Sequence, residues 1–490
     1  MVSGPGEQSP RSPSSYTEGQ LVEVTAGDVA NGGWCVARPG QGPVIFIRHA
    51  LPGELVRARI TEVTKRFARA DAVEILTPSP DRVPAPCPHA RPGGCGGCDW
   101  QHASLPAQRA LKAAVVGEQL RRLAGIEREV TVEPVPAGPG RDGEPSGPGL
   151  GWRTRVRFAV RDDGVAGLRV HRSHEVIDVG VCLIAHPAIN DLAVTGRRWA
   201  GATSVTAIAG TERTLIVEEG RGHRRAGQGA WISQPAAGRD WRVSAGAFWQ
   251  VHPGAAGTLA EAVAAALEPR PGDSILDLYC GAGLFTGVLA PMAGPDGSVT
   301  GVESDAAAVR DARHNLREWP WARVRRGDVA ALLRRGGLPH VRLVVADPPR
   351  SGLAREVVSY LGDTRNGVER FAYVSCDPAT LARDVGLLLA QGWTLDGLRA
   401  FDAFPMTHHV ECVATLVRLV LRGGPAGWLR PGEPSPSRLR SLLERLGSRR
   451  SGDVIAESRY TGQQALVLQD AERLGAGLPR VAVLLAERGD

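Results

Sequence analysis

The stretch Ser274-Ile275-Leu276-Asp277-Leu278-Tyr279-Cys280-Gly281-Ala282-Gly283-Leu284-Phe285 decides the fold of this chain. Its apolar start predicts a buried strand, an acidic residue interrupts the run, and Gly281 and Gly283 turn the chain. A helix can begin just beyond the glycines, near Thr286. Strand, glycine turn and helix form half of a nucleotide-binding α/β unit, in which a ligand lies against bare backbone and free helical N–H groups.

Two kinds of adenosine ligand fit this unit, a dinucleotide and S-adenosylmethionine. A second strand, Val299-Thr300-Gly301-Val302-Glu303, ends in a carboxylate that can hold a ribose diol. A dinucleotide site needs a third glycine where this chain has Thr286, and Gly287 comes one residue late. The turn is also looser than a pyrophosphate requires, so the pattern favours S-adenosylmethionine.

Further predicted strands end in polar residues. Asp328 lies in a predicted short strand, 324–329, and could bond an adenine amino group. Asp347 ends the apolar run Leu-Val-Val-Ala and precedes two prolines, and Cys376 ends Phe-Ala-Tyr-Val-Ser. Because ligands bind at the carboxyl ends of strands in open α/β sheets, we expect the last two residues to meet the glycine turn and Glu303 on one edge.

A thiol and a carboxylate near a methyl donor can methylate a pyrimidine. Carbon 5 is too weakly nucleophilic until a thiolate, here Cys376, adds to carbon 6. A base must then remove the carbon 5 proton, and Glu411 in His-His-Val-Glu is the candidate. The alternatives are a core cysteine and a solvated strand-end carboxylate. Cys412 alternates to the opposite face from Glu411 and is expected in the core. Cys280 lies in the glycine turn and is expected to have a structural role.

The cysteines are unevenly spaced along the chain. Cys87, Cys95 and Cys98 are crowded into one glycine-rich segment, and Cys182, in a predicted loop, is the best fourth ligand. In a reducing compartment such a group indicates a metal site rather than disulfides. Three clustered thiols plus a distant one favour an iron–sulfur cluster, with zinc as the alternative.

The chain has 490 residues and a formal charge of +6. Shifts in composition and stretches rich in glycine and proline divide it into several predicted parts. No apolar run approaches the ~20 residues that span a bilayer, and we expect a cytoplasmic monomer without a membrane partner. The predicted parts are a disordered leader 1–15, a small β-barrel 16–77, a β-rich domain 78–240 with the cysteines, a catalytic domain 241–423, and an extension 424–490 of unknown role. The helix predicted at 105–124 could pack on the catalytic domain. The extension is predicted to contain one amphipathic helix, 438–446, and an apolar end.

The predicted barrel is of a kind that often binds RNA on one face. Arg48, Lys65, Arg66 and Arg69 could contact phosphate there, although a solvated face fits the sequence equally well. Elsewhere, Gln250 follows two aromatic residues and could reach an adenosine or a base; a helix-entry role is the alternative.

Taken in order, these motifs resemble the bacterial RNA uridine-5-methyltransferases. The likeness runs from about residue 18 to 421 and includes a TRAM-like barrel, Cys-Gly-Gly-Cys, Phe-Trp-Gln-Val, Asp-Leu-Tyr-Cys-Gly-Ala-Gly, Asp-Pro-Pro-Arg, Val-Ser-Cys-Asp-Pro and His-Val-Glu. The resemblance implies Cys376 as nucleophile and Glu411 as base. It implies donor contacts from Gln250, Tyr279, Glu303, Asp328 and Asp347. It also implies a 4Fe-4S cluster on Cys87, Cys95, Cys98 and Cys182, as in the ribosomal-RNA branch; the transfer-RNA branch lacks these cysteines.

Three positions depart from the family pattern. The first cysteine spacing is two residues longer, Leu284 stands where the family has asparagine, and His252 also replaces an asparagine. We predict an α/β protein: a Rossmann-like methyltransferase domain with an N-terminal OB-like TRAM barrel and a β-rich central domain. The predicted partner is structured RNA, ribosomal RNA first and transfer RNA second, whose flipped uridine Tyr279, Phe248 or Trp249 could hold. A nicotinamide and iron–sulfur oxidoreductase and a non-catalytic RNA-binding scaffold are the remaining alternatives.

Overall fold

The computed structural model describes residues 16–40, 42–136, 147–220, 223–225 and 230–418, together with three strands beyond residue 450. The predicted leader and the helix predicted at 438–446 lie outside these ranges. The chain divides into a unit that ends at Leu419 and a second unit that begins at Val420. Within the described ranges, no helix has both the length and the apolar character that a membrane crossing requires.

The first module is a five-stranded sheet closed over its own core. In its two long strands, β4 (Leu55–Val63) and β5 (Phe67–Thr77), buried alanine, valine and isoleucine alternate with more exposed residues, as a half-buried strand requires. The hydrogen-bonded order is β1-β4-β5-β3-β2. The strands are β1 (Leu21–Thr25), β2 (Cys35–Ala37), β3 (Val44–Arg48), β4 (Leu55–Val63) and β5 (Phe67–Thr77).

The next segment packs with the sheet of the predicted catalytic domain, 241–423, although it precedes the central domain in sequence. Helix α1 (Leu105–Gln119) starts at the N-cap Ser104 and continues into a π-helical turn, Leu120–Ala124. It is followed by strand β6 (Val132–Pro134), which pairs with the edge of the catalytic sheet. The helix predicted at 105–124 therefore packs with the catalytic core, since Val116, Leu120 and Val132 join its apolar cluster.

The central module is a six-stranded antiparallel sheet followed by a hairpin. The sheet order is β12-β11-β10-β7-β8-β9, and a short helix, α2 (Pro187–Asn190), covers part of it. The hairpin packs its apolar face on the catalytic core, so the boundary predicted after residue 240 falls inside one of its strands. The strands are β7 (Arg155–Val160), β8 (Ala166–Arg169), β9 (Val176–Ile177), β10 (Ala202–Ala209), β11 (Thr214–Gly220), β12 (His223–Arg225), β13 (Trp231–Ala236) and β14 (Arg239–Ser244).

The catalytic module is an eight-stranded sheet with an apolar cluster on each face. The order is β17-β16-β15-β18-β19-β21-β20-β6, and within this sheet only β21 runs antiparallel to its neighbours. The elements are α3 (Ala255–Leu267), β15 (Ser274–Leu278), α4 (Leu284–Ala293), β16 (Ser298–Glu303), α5 (Ala306–Asn315), β17 (Ala322–Arg326), α6 (Val329–Arg334), β18 (Leu343–Ala346), α7 (Arg355–Gly362), β19 (Arg370–Ser375), α8 (Pro378–Leu389), β20 (Thr394–Asp402) and β21 (Glu411–Val417). The predicted fold class is confirmed.

The second unit contains a small antiparallel sheet of its own. Its described strands are β22 (Ile455–Tyr460), β23 (Gln463–Leu468) and β24 (Val483–Ala486), with β23 in the middle. The sequence predicted only an apolar end for this region.

A buried ion pair joins α1 to the end of β20. Lys112 is fully buried, and its Nζ lies 2.5 Å from Oδ1 of Asp402, which is 3% exposed. The same ammonium donates to the carbonyl of Phe404 at 3.0 Å. The pair therefore ties helix α1 to the segment that leads into β21.

We expect Lys112→Met to destabilise the protein by about 3–5 kcal/mol, because it leaves the Asp402 carboxylate buried without its cation. The double variant Lys112→Met with Asp402→Leu should regain most of this loss, since no uncompensated charge remains. Denaturant unfolding of the three proteins measures both effects. A double variant as unstable as the single one would show that packing, not the unpaired charge, causes the loss.

Candidate active site

The glycine turn after β15 takes a conformation that few side chains tolerate. Gly281 and Gly283 have φ of 53° and 90°, and Tyr279 between strand and turn has φ of 66°. The carboxylate of Glu303, at the end of β16, accepts the backbone N–H of Gly281 at 3.0 Å. It also accepts the N–H of Asp305 at 2.7 Å. Glu303 thus holds the turn, and the first turn of α4 begins directly after Gly283.

Asp277 supports the turn from inside the sheet. It is fully buried, and its Oδ2 accepts the N–H and the hydroxyl of Thr286 at 2.8 and 2.6 Å. Its Oδ1 is buried without a hydrogen-bond partner. Burial, and secondarily the charges of Asp347 and Glu303, raise its pKa to about 7. A carboxyl that stays protonated at a higher pH than an exposed aspartate therefore lies under the glycine turn.

The other predicted donor-binding residues surround this turn. Asp347 follows β18 and donates its N–H to the carbonyl of Leu278 at 3.3 Å, which places it beside β15. Asp328 is the N-cap of α6 and accepts from Ala331 at 2.8 Å; the strand predicted to reach it ends earlier, at Arg326. Tyr279 is partly buried and packs against the apolar cluster that includes α7 and α8.

Gln250 and its aromatic neighbours occupy different environments. Gln250 is buried, and Trp249 is buried against Trp241 with ring centroids 6.1 Å apart. Phe248 is 69% exposed. Of the two aromatic residues before Gln250, therefore, Trp249 is a core residue and Phe248 is free to meet a partner.

The register of β19 and β21 brings the predicted nucleophile and base together. Ser375 pairs with Cys412 in this antiparallel ladder, so the next position sets Cys376 opposite Glu411. Directly opposite residues have Cβ atoms about 4.5–5.5 Å apart. Glu411 is 5% exposed, and Cys412 is fully buried on the opposite face. Sequence reasoning linked the two residues only through chemistry; the strand pairing makes them neighbours.

The charges around this pair act on one another. Burial, and secondarily the charge of Glu411, raise the pKa of the Cys376 thiol to about 11, although the Arg350 guanidinium acts to lower it. Burial and the neighbouring Asp347 hold the pKa of Glu411 well above its ordinary value. Burial also raises the pKa of Asp347 to about 7. Cys376, Glu411, Asp347 and Arg350 therefore form one electrostatic group.

Asp384 is a supporting residue that the sequence analysis missed. Its buried Oδ2 accepts the N–H of Leu353 at 2.8 Å and the hydroxyl of Tyr373 at 2.8 Å. These bonds fasten the turn that carries Asp347 and Arg350 to helix α8, which begins just after Cys376. A lone aspartate within a helix has no local pattern that predicts such a role.

The four cysteines of the predicted metal site line one cavity of about 350 Å³, although Cys182 is distant in sequence. The 87–98 loop lies on β8, because Gly96 donates to the carbonyl of Arg169 at 3.0 Å. A Cβ at Gly96 would lie 2.7 Å from the backbone of His171, which explains the glycine. Among the described residues, no three His, Cys, Asp or Glu side chains form a group that could hold a metal ion.

The barrel residues predicted to contact phosphate differ in exposure. Arg48 is buried, with Nη2 3.6 Å from Asp99, so its prediction as a surface phosphate contact is wrong. The sequence could not show that the cysteine loop covers this end of β3. Arg69 pairs with Glu62, and Lys65 and Arg66 are exposed at the β4–β5 turn.

We expect Asp277→Asn to weaken the pH dependence of stability. A carboxyl with a pKa of about 7 when folded and 3.8 as its ordinary value stabilises the fold most at low pH. This contribution is lost as pH rises from about 4 to 7, because the unfolded chain ionises first. An asparagine oxygen can still accept from Thr286 but cannot ionise. The free energy of unfolding should therefore fall less between about pH 5 and about pH 8 in the variant. An equal fall in both proteins would contradict the raised pKa.

Family models match three parts of the chain. The model of tRNA (Uracil-5-)-methyltransferase matches residues 339–419, which contain Asp347, Cys376 and Glu411. The TRAM domain model matches residues 16–73. The model of protein-L-isoaspartate(D-aspartate) O-methyltransferase matches residues 254–347, the part with the glycine turn.

Two relatives are similar in sequence to this chain over most of its length. A Streptomyces avermitilis protein named as an uncharacterized RNA methyltransferase is 49% identical over 432 residues, covering 81% of this chain and 98% of its own. The 23S rRNA (uracil(1939)-C(5))-methyltransferase RlmD of Methylococcus capsulatus is 33% identical over 429 residues, covering 77% of this chain and 93% of its own.

A solved structure has the same fold over most of the chain. It is the tRNA (uracil-54, C5)-methyltransferase of Pyrococcus abyssi in complex with S-adenosyl-L-homocysteine, with a TM-score of 0.61 and 23% identity. It covers 81% of this chain and 100% of its own. Family model, relatives and the paired thiol and carboxylate agree: this chain belongs to the RNA uracil-5-methyltransferase family.

Proposed function

We propose that this protein transfers a methyl group from S-adenosylmethionine to carbon 5 of a uridine in structured RNA, through a covalent bond between Cys376 and carbon 6. One observation carries the proposal: the β19–β21 ladder ends at the pair Ser375–Cys412, so Cys376 and Glu411 are the next residues on the two strands, and the charge of Glu411 acts on the Cys376 thiol. Both lie at the edge of the sheet where the glycine turn follows β15. A nucleophile and a base on one side of a pyrimidine ring are what this reaction needs.

The methyl donor would bind over the glycine turn. Gly281 and Gly283 leave the backbone bare, and Glu303 at the end of β16 can take a ribose diol. Asp328, Asp347, Gln250 and Tyr279 are the further proposed contacts. The carboxylates near the turn also suit a donor that carries a positive sulfonium, because opposite charges attract strongly where water is scarce.

The thiolate of Cys376 would attack carbon 6 and turn the ring into an enolate with a nucleophilic carbon 5. That carbon takes the methyl group, and the donor leaves as S-adenosylhomocysteine. Since burial raises the pKa of Cys376 to about 11, the thiol needs help to ionise. The Arg350 guanidinium lowers the pKa of this thiol and is the group on hand to stabilise the thiolate.

Glu411 would then remove the proton from carbon 5, and the electron pair left behind expels the Cys376 thiolate. The environment that raises the pKa of Glu411 makes its carboxylate a stronger base than an exposed one. The uridine must leave its stack to reach this buried pair, at a cost of a few kcal/mol. Phe248, which lies two residues before Gln250 and is 69% exposed, is the aromatic residue that we propose stacks on it.

Ribosomal RNA is the proposed substrate, with transfer RNA as the alternative. The relative from Methylococcus capsulatus, 33% identical, is named for 23S rRNA. The four cysteines point the same way, because the family resemblance assigns them to the ribosomal-RNA branch.

The cysteine cavity would hold a 4Fe-4S cluster. Burial raises the pKa of the Cys95 and Cys182 thiols, and the charge of Arg153 beside them lowers it. The four thiols line one cavity, and three clustered cysteines plus a distant one are the pattern that favours a cluster, with zinc as the alternative. When bound, the cluster would bond the 87–98 loop to Cys182 through iron and sulfur. The methyl-transfer steps proposed here use only the chain's own residues.

We expect Glu411→Gln to accumulate a covalent protein–RNA adduct, because glutamine cannot take the carbon 5 proton that must leave before the thiolate does. Cys376→Ala should form no adduct and transfer no methyl group. Cys412→Ala is the matched control, a neighbouring cysteine on the opposite face, and should retain adduct formation. Denaturing gels measure the adduct. Transcripts of 23S rRNA and transfer RNA with ordinary uridine compare Glu411→Gln with wild type, and the same transcripts with 5-fluorouridine, which has no carbon 5 proton and traps the wild-type adduct, compare wild type with Cys376→Ala and Cys412→Ala. Full methyl transfer by Cys376→Ala would refute the mechanism. An adduct that forms only with transfer RNA would show that transfer RNA, and not ribosomal RNA, is the substrate.

We expect protein purified without oxygen to contain about four iron atoms per chain and to absorb in the visible blue. Cys98→Ala should lose most of the iron, because one thiolate ligand is missing. Cys35→Ala, which changes a buried barrel cysteine outside the cavity, should keep it. Elemental analysis measures the iron and zinc content of each protein. One zinc atom and no iron in wild type would contradict the cluster.

A further inference from the structure

His408 and His409 directly precede the proposed base, and the mechanism above gives them no role. His409 is partly exposed, but its ring packs against His408 with centroids 4.1 Å apart and edge-on against Phe404 at 5.8 Å. Its Nε2 lies 3.4 Å from Nη2 of Arg350. The ring therefore lies between the segment that leads into β21 and the cation that faces Cys376.

The protonation of His409 follows from this contact. A guanidinium only donates hydrogen bonds, so Nε2 of His409 must accept and the ring must be neutral. Burial and the positive charges of His408 and Arg350 lower the pKa of His409 to about 3, which agrees with a neutral ring. Asp99 and Lys112 also face it.

The segment that carries the two histidines is held by the modules in front of the catalytic sheet. Asp99, next to the cysteine loop, accepts from the backbone N–H of His408 at 3.2 Å and contacts its Nδ1 at 2.6 Å. Arg48 of the barrel lies 3.6 Å from the same carboxylate. Gln108 of α1 accepts the N–H of Met406 at 2.7 Å, where the backbone has φ of 68°. His409 thus presents its nitrogen from an anchored position.

Arg350 itself has a less constrained position. It is exposed, at the end of the turn that two prolines begin. A long side chain in water loses much of its freedom when it is held in one place, and a screened charge has little effect unless it is held near its target. The Arg350 charge acts to lower the pKa of both Cys376 and Glu411, which form the buried pair.

We propose that His409 is a positioning residue that accepts a hydrogen bond from Arg350 and holds this cation beside Cys376. The ring of His408 packs against the His409 imidazole, and Asp99 in turn holds His408 in place. The inference rests on the proposed nucleophilic role of Cys376. It adds a connection from the cysteine loop and the barrel to the reacting thiol.

The test measures the reactivity of Cys376 without RNA or methyl donor. The rate of its alkylation by iodoacetamide is followed by peptide mass spectrometry over a range of pH, in the full-length protein. The groups that face Cys376 are Glu411, Asp347 and Arg350, and none of the variants below changes the two carboxylates. His409→Leu and Arg350→Met should each lower the rate at a given pH by about three- to tenfold, as a shift of half to one pKa unit predicts.

Two comparisons separate positioning from packing. His409→Gln, whose amide oxygen can replace Nε2 as acceptor, should restore most of the alkylation rate that His409→Leu loses. In the Arg350→Met background, His409→Leu should have no further effect, because the histidine acts through the missing guanidinium. Melting temperatures of all variants show whether each remains folded.

An equal loss on His409→Leu with and without Arg350 would overturn the inference, as would a glutamine variant no better than leucine. These results do not depend on whether the protein methylates RNA. A wild-type protein that forms no adduct with 5-fluorouridine RNA would instead refute the proposed function and leave the coupling of His409 to Arg350 intact.

Discussion

The antiparallel pairing of β21 with β19 is the constraint on which the site depends. In a parallel sheet every strand begins at the edge away from the ligand, so a residue at the start of a strand cannot meet one at the end of its neighbour. Because β21 runs the other way, its first residue, Glu411, meets Cys376 just beyond the end of β19. The same edge carries the glycine turn and Asp347, so the thiol, the carboxylate and the glycine turn share one edge of the sheet.

The approach to β21 needs support from outside the catalytic sheet. Residues 402–410 make a buried passage from β20, including a left-handed residue at Met406. Lys112 and Gln108 of α1 hold its polar groups, and Asp99 beside the cysteine loop holds His408. A buried polar backbone without partners would be costly. This explains why a helix that precedes the central domain in sequence packs with the catalytic core.

Several carboxyl groups are concentrated where water is scarce. Burial raises the pKa of Asp277 and Asp347 to about 7 and that of Glu411 well above its ordinary value. Arg350 is the cation that opposes this effect at Cys376, and it is exposed rather than buried in the sheet. The site therefore combines buried carboxyl groups of raised pKa with one exposed cation, Arg350. How strongly Arg350 lowers the pKa of Cys376 depends on the contacts that hold its guanidinium in place. Perturbed groups of this kind are typical of catalytic edges.

Local patterns in the sequence determined the fold class, the glycine turn and most strand positions, and they singled out the thiol and carboxylate that we propose as nucleophile and base. Apolar periodicity and turn residues act over a few positions, so they can be read without the rest of the chain. The placement of α1 and β6 in the catalytic sheet, the burial of Arg48 and the support from Asp384 and His409 were decided only by the tertiary structure. Each depends on contacts between residues far apart in sequence, such as Lys112 with Asp402, and no local pattern specifies which distant partner a side chain will meet.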